Sequence, residues 1–293
     1  MSSVSICVPT YNRKEYLRQT LDSIAAQTYK DFEIIVFDDG STDGTEEMVK
    51  NTGHDIRYYW HKNQGEAATC NKLIELANED YITFVHSDDL LFPDTVERMV
   101  KAVKAEQEDV IVYGSYIRID ENGNVLGHNK KKLYSGDITR YLFESHIMHV
   151  VGSIVPKKGL VDIGGFDTSL KVCYDYKLKL GLSLKYRFVA LDQPTFKRRR
   201  HTRNTSSGSF VNCKTELDVL KDFYYNNGGS KIIPEKIAMK KLSKEYYRTA
   251  RFAIREGQID QAIELLRQSF RHHPNLKSLI YWIKAMIVRR LVS

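Results

Sequence analysis

The stretch Val4 to Thr45, "VSICVPTYNRKEYLRQTLDSIAAQTYKDFEIIVFDDGSTDGT", decides the fold. "VSICV" is a short apolar run ended by Pro9. Leu17, Leu21, Ile24 and Ala25 then share one helical face, and "FEIIVF" is a second apolar run that stops at "DDGS". Gly40 and Gly44 mark a turn there, and Thr42 or Asp43 is placed to cap the next helix. The scheme repeats through "IRYYW" (Ile56 to Trp60), a helix from about Glu66 to Ala77, and "YITFV" (Tyr81 to Val85). Near-continuous apolar strands separated by helices predict an α/β fold with a mostly parallel sheet covered on both faces. Ligands of such sheets bind beyond the carboxyl ends of the strands. The "PTYN" turn (Pro9 to Asn12), the "DDGS" turn (Asp38 to Ser41) and the "SDD" turn (Ser87 to Asp89) all lie there and are expected to line one crevice.

Farther along, "FPDTVERMVKAV" is a helix opened by Pro93, and "DVIVYGSYIRID" and "GNVLG" are strands of a mixed sheet. "VVGSIVPKKGLVDIGGFD" holds a strand, a short helix and a Gly-Gly turn. "CYDYKLKLGLSL" is helical in spacing, and "YRFVAL" and "TFKRRR" are strands. From about Glu216 only helices are predicted. A boundary at Ser206 to Gly208, in the linker-like "NTSSGS", divides the chain into 1–207 and a helical extension, 208–293. Within the extension, Tyr246 to Pro274 resembles one tetratricopeptide unit, of about 34 residues, but reads more simply as a helical hairpin around Gly257.

The 293 residues, 42% hydrophobic and 28% charged, suffice for a full core. Four scattered cysteines, with no CxxC pair and no signal-peptide pattern, point to reduced thiols and a cytoplasmic setting. Lys284, Arg289 and Arg290 interrupt the most apolar segment, so no stretch approaches the roughly 20 residues of a membrane helix. A net charge of +7 suggests an anionic partner.

Two adjacent carboxylates repel, and Asp88 and Asp89 follow an apolar strand with no basic residue beside them. A lone exposed Asp is usually only solvation or a cap. At a ligand edge, however, Mg²⁺ or Mn²⁺ takes carboxylate and phosphate oxygens together and removes the repulsion. Asp38 and Asp39 form a second such pair, in a Gly-rich turn that lets backbone approach a ligand.

These stretches, with "NQGEAATCNKLIELANEDYITFVHSDDLLFPDTV", "IGGFDTSLKVCYDYKLKL" and "PTFKRRRHTRNTS", resemble the family 2 glycosyltransferases of the GT-A fold over about the first 205 residues. The resemblance implies that Pro9, Thr10, Tyr11, Asn12, Asp38 and Asp39 hold the nucleotide of a donor, with Asp39 accepting the uracil imide N–H. Asn71 and Lys72 are expected near the donor. The DxD-type motif maps onto Asp88 and Asp89, Asp89 being the preferred metal ligand and Asp88 reaching ribose or metal, with His201 a further candidate ligand. Asp175 corresponds to the catalytic base, needed because a hydroxyl is a poor nucleophile until its proton is taken. The implied activity is inverting, Mn²⁺- or Mg²⁺-dependent transfer from a UDP-sugar to a glycan or lipid-linked acceptor.

The chain departs from the family at His86, where an acid is usual and where the residue is read as supporting the turn. Tyr174 stands in place of Glu, and Cys70 in place of Arg. Arg198, Arg199 and Arg200 alternate along a strand, so one or two at most can face the site. The "NTS" at Asn204 matches a glycosylation sequon. A nicotinamide dehydrogenase is excluded by the lack of GxGxxG after a strand, and nucleic acid is not expected as a partner. The alternatives are a nucleotidyltransferase acting on a sugar phosphate and a non-catalytic basic scaffold. After Glu264 the tail has no acidic residue, and Trp282 lies among basic and aliphatic residues. A helix of this kind suits an anionic membrane surface, at the inner face of the cell membrane, or equally packing on the tail's own core or in a homodimer.

Overall fold

The computed structural model describes residues 3–201 and 208–292. Two compact units make up the chain, Met1–Asn204 and Thr205–Ser293. Residues 206 and 207 of the predicted boundary, and the sequon at Asn204, lie outside the described residues.

The first unit opens with β1 (Val4–Thr10), α1 (Lys14–Ala25), β2 (Phe32–Asp38), α2 (Thr45–Lys50), β3 (Arg57–Trp60), α3 (Glu66–Leu76) and β4 (Tyr81–Phe84). All seven residues of β1 are buried, as a strand covered on both faces requires. β1 pairs in parallel with β2, from Val4 opposite Phe32 to Thr10 opposite Asp38, and with β4 on its other side. The turns after β1, β2 and β4 therefore emerge at one sheet edge. α1 buries Leu17, Thr20, Leu21 and Ile24, one stripe at helical spacing. Ala25, predicted for that stripe, is only partly covered. Thr20 takes the buried place and donates its hydroxyl to the Asp89 carbonyl at 2.8 Å. α2 is capped by neither Thr42 nor Asp43: Gly44 holds the N-cap in a left-handed conformation. The Asp43 carboxylate joins two helix starts, accepting the Lys14 N–H of α1 at 3.0 Å and the Thr45 hydroxyl of α2 at 2.5 Å.

The chain continues through β5 (Leu90–Leu91), α4 (Thr95–Lys104), β6 (Val110–Tyr113), β7 (Tyr116–Ile119), β8 (Val125–His128), α5 (Thr139–Glu144), β9 (Ser153–Pro156), α6 (Lys157–Asp162), α7 (Tyr174–Ser183), β10 (Arg187–Ala190) and β11 (Phe196–Arg199). The seven-stranded sheet has the order β10-β6-β9-β4-β1-β2-β3, with β9 antiparallel to both neighbours. A second sheet has the order β5-β11-β7-β8. "DVIVYGSYIRID" is thus split between two sheets, which its apolar pattern does not reveal. The break falls at Gly114, where a Cβ would lie 2.5 Å from Thr195 Cγ2, so only glycine lets the lead into β11 pass. Because β4 belongs to one sheet and β5 to the other, Asp88 and Asp89 occupy the corner between them.

The second unit consists of α8 (Phe210–Tyr225), α9 (Glu235–Arg255), α10 (Ile259–His272) and α11 (Leu276–Val292), with a short 3₁₀ turn after α8. α8 begins six residues before the predicted helical stretch, with Ser209 Oγ accepting the Asn212 N–H at 3.2 Å as its cap. α9 and α10 form the expected hairpin around Gly257, and α9 also packs on α8, where Ala253 lies in one cluster with Phe210.

Candidate active site

The β1 and β2 turns are tied to each other. Asn12, left-handed at φ 50°, donates its N–H to Ser41 Oγ at 2.7 Å and accepts the Thr42 N–H at 2.9 Å. Pro9 and Thr10 end β1 against Phe37 and Asp38, and Tyr11 is exposed. The Thr10 hydroxyl is buried and meets no hydrogen-bond partner among the described residues. Asp38 accepts from the Ser41 N–H and the Tyr58 hydroxyl, each at 2.7 Å. Asp39 accepts from Gln64 N (2.8 Å) and His61 Nε2 (2.9 Å) at Oδ1, and from Gly65 N (3.0 Å) at Oδ2. A carboxylate has about four lone-pair sites, so Oδ2 can still accept one further N–H. Gly40 is required by a neighbouring loop. A Cβ there would lie 2.8 Å from the Asn63 backbone nitrogen, so the close approach is to the loop that Asp39 clamps.

At the corner, Asp88 Oδ2 lies 2.8 Å from His201 Nε2 and 3.2 Å from Arg13 Nη1. The His201 ring stacks on Tyr16, centroids 5.3 Å apart. Asp89 Oδ1 accepts the Arg199 N–H at 2.9 Å. Burial, and then the Asp88 charge beside it, push Asp89 up to about 7, the physical form of the repulsion anticipated from sequence. His86, Asp88 and Asp89 each offer a ligand atom, all within 4.8 Å of one another. One imidazole and two carboxylates form a donor set suited to Mn²⁺, and the carboxylates suit Mg²⁺. His86, read from sequence as a support of the turn, thus also stands among the candidate ligands.

Of the three consecutive arginines, Arg199 is turned inward and is a strut. Its guanidinium donates to the carbonyls of Asp88 (3.0 Å), Glu121 (2.7 Å) and Asp120 (3.3 Å) and to Gln19 Oε1 (2.7 Å). Arg199→Ala strands these acceptors and is expected to lower stability by about 3 kcal/mol. Urea unfolding measures this, and a loss below about 0.5 kcal/mol, the range of ordinary surface substitutions, contradicts the strut.

α3 joins the turns. Next to Gly65, which Asp39 holds, Glu66 meets His86 Nε2 at 3.0 Å and lies near Tyr174. The crevice walls disfavour both charges, but the pairing outweighs this, holding Glu66 down to about 2 and His86 up to about 9. Asn71 clamps Phe166, its Nδ2 donating to the carbonyl at 2.8 Å and its Oδ1 accepting the N–H at 2.7 Å. Lys72 is half exposed and pairs with Glu75 at 2.8 Å.

Asp175 lies in the first turn of α7, behind Cys173, which is left-handed at φ 63°. Its Oδ2 receives Lys179 Nζ at 2.7 Å. Loss of hydration at this partly covered position opposes ionisation, but the Lys179 ammonium holds Asp175 well below the usual carboxylate range. The Tyr176 hydroxyl anchors α7 to the Leu142 carbonyl at 2.8 Å. Sequence reasoning missed Arg13, Glu66 and Lys179. Only Lys179 carried a readable signal, its i,i+4 spacing from Asp175.

The profile described as Glycosyl transferase family 2 matches residues 5–161, more than half of the chain. An uncharacterized glycosyltransferase of Rickettsia typhi is 36% identical over 183 residues, covering 60% of this chain and 57% of its own length. The chain thus spans less than two thirds of that relative. Among solved structures, S. aureus TarS 1-349 in complex with UDP-GlcNAc superposes with a TM-score of 0.61 at 17% identity, covering 99% of this chain and 92% of that one. The Pyrobaculum calidifontis mannosyltransferase PcManGT in complex with GDP-Man and Mn²⁺ gives 0.64 at 17% identity, covering 97% and 79%. The mostly parallel sheet and the order of its strands are those of a GT-A-type fold. The chain belongs to glycosyl transferase family 2.

Proposed function

We propose that the enzyme transfers a sugar with inversion from a UDP-sugar to a hydroxyl of a glycan or lipid-linked acceptor, with a divalent metal at the Asp88 corner and Asp175 as base. The observation that carries this is the Glu66 junction: the α3 start, held by Asp39 through Gly65, pairs with His86 of the metal corner at 3.0 Å and lies beside Tyr174, the neighbour of Asp175. A donor laid along this edge has its base at Asp39 and Thr10, its diphosphate at Asp88 and its anomeric carbon toward Asp175. His86, Asp88, Asp89 and His201 would hold Mn²⁺ or Mg²⁺, which neutralises charge developing on the departing diphosphate. Asn71 supports the site through Phe166 in this scheme, and Lys72 lies at its margin. A screen of UDP-, GDP- and dTDP-sugars, reading nucleoside diphosphate release with and without Mn²⁺, tests the function. Mn²⁺-dependent release from a UDP-sugar is expected, and no turnover of any sugar nucleotide would contradict it.

We also place the second unit at an anionic bilayer, as a peripheral enzyme on the inner face of the cell membrane. On α11, Leu276, Ile280, Ile283 and Ile287 are exposed at helical spacing, and Lys277, Lys284 and Arg290 lie on the same helix. No helix among the described residues is long and apolar enough to cross a membrane. The full chain is expected to sediment with phosphatidylglycerol vesicles, and the chain lacking 276–293 to remain in the supernatant. Absence of vesicle binding, with a dimer seen by light scattering, would assign this face to a homodimer.

A further inference from the structure

Lys179 is the buried cation beside Asp175. Its side chain is 1% exposed, and its Nζ lies 2.7 Å from Asp175 Oδ2 and 3.2 Å from the Met148 carbonyl oxygen. An ammonium is costly to bury unless it is paired, and the adjoining Leu178, Leu180 and Leu182 are all buried apolar residues. Stability alone would therefore favour another apolar side chain at this position. One helical turn separates Lys179 from Asp175, whose own side chain stays 43% exposed. Asp175 Oδ1 accepts no hydrogen bond among the described residues.

The groups that face Asp175 are Lys179 and Tyr174 on α7, His146 and His149 on the segment before β9, and Cys70 on α3. Burial pushes Tyr174 and Cys70 up and His149 well down, which leaves these three uncharged near neutral pH. The cation whose Nζ touches the carboxylate is Lys179.

We propose that Lys179 is the positioning residue of the transfer step, engaging Asp175 through Oδ2 in its ionised form so that Oδ1 takes the acceptor proton. The inference rests on the reading of Asp175 as the base. In the step, the acceptor oxygen bonds to the anomeric carbon while the bond from that carbon to the diphosphate oxygen breaks. The bonding pair leaves on the diphosphate, and the hydroxyl proton passes to Asp175 Oδ1.

Lys179→Met keeps the volume and removes the charge. Asp175 then protonates at higher pH, and because the base works only when deprotonated, the acidic limb of kcat/KM moves upward. The assay is UDP release from UDP-GlcNAc with Mn²⁺ and water as acceptor, followed from roughly pH 3 to 9, because the Lys179 pairing holds Asp175 well below the usual carboxylate range while Asp89, up to about 7, contributes a limb common to both forms. A shift of about one pH unit or more is expected, with most activity regained on the alkaline side. Lys179→Arg keeps the charge and should leave the limb in place. A second readout needs no substrate: the ¹³Cγ signal of Asp175, identified by its loss in Asp175→Asn, should titrate higher in Lys179→Met than in the wild type. An unmoved limb and an unmoved ¹³Cγ titration in Lys179→Met overturn the role, even if the overall rate falls. A Lys179→Arg limb that moves as Lys179→Met does overturns it too. If Asp175→Asn turns over normally, the base reading itself fails. If Asp175→Asn is inactive and Lys179→Met is unshifted, only the role of Lys179 fails.

Discussion

Replacing Asp175 by Asn is expected to lower sugar transfer by about 10³-fold, within the range a positioned general base contributes, while UDP binding changes less than about twofold. The two effects separate because Asp175 lies on α7, whereas the proposed nucleotide end is at the β1 and β2 turns and the loop before α3, which are tied to one another. Asn is close in size but cannot hold the proton. It also leaves the Lys179 ammonium facing a neutral amide, so the unfolding midpoint should fall, and transfer must be measured below it. Single-turnover transfer together with calorimetric UDP binding checks the prediction. Transfer within tenfold of the wild type would remove Asp175 from the chemistry.

The second large effect concerns Asp88. Asp88→Ala removes the carboxylate that His201 and Arg13 approach at 2.8 and 3.2 Å. Binding of UDP in the presence of Mn²⁺ is expected to weaken by about 100-fold, as a lost metal contact to a diphosphate implies. Mn²⁺ should also cease to stimulate turnover. Asp89→Ala should lower stability more than Asp88→Ala does, because it frees the Arg199 N–H that fixes β11 to the corner. A variant lacking Asp88 with unchanged Mn²⁺ stimulation would move the metal elsewhere.

Much of this architecture was legible in the residues. The apolar runs "VSICV", "FEIIVF" and "YITFV" gave β1, β2 and β4 because a buried parallel strand leaves a continuous hydrophobic signature. The acids at their ends followed from the same register. What escaped was set by contacts distant in sequence. Gly114 parts two sheets only because Thr195 must pass it, and Thr20 is buried because Asp89 supplies it a carbonyl. Arg199 is distinguished from Arg198 and Arg200 by the carbonyls of Asp120 and Glu121, nearly eighty residues earlier. Glu66 reads as an ordinary first-turn acid of α3. Its role appears only when the fold brings His86 and Tyr174 to it.

We propose that the three turns form one donor site with a metal at its corner. Crystals grown with UDP and Mn²⁺, measured at the manganese edge, test it most directly. The expected result is an anomalous peak about 2.2 Å from the Asp88 carboxylate, within the usual range for oxygen ligands of divalent ions, with uracil against Asp39. Manganese bound away from Asp88, or UDP lodged outside the β1 and β2 turns, would contradict it.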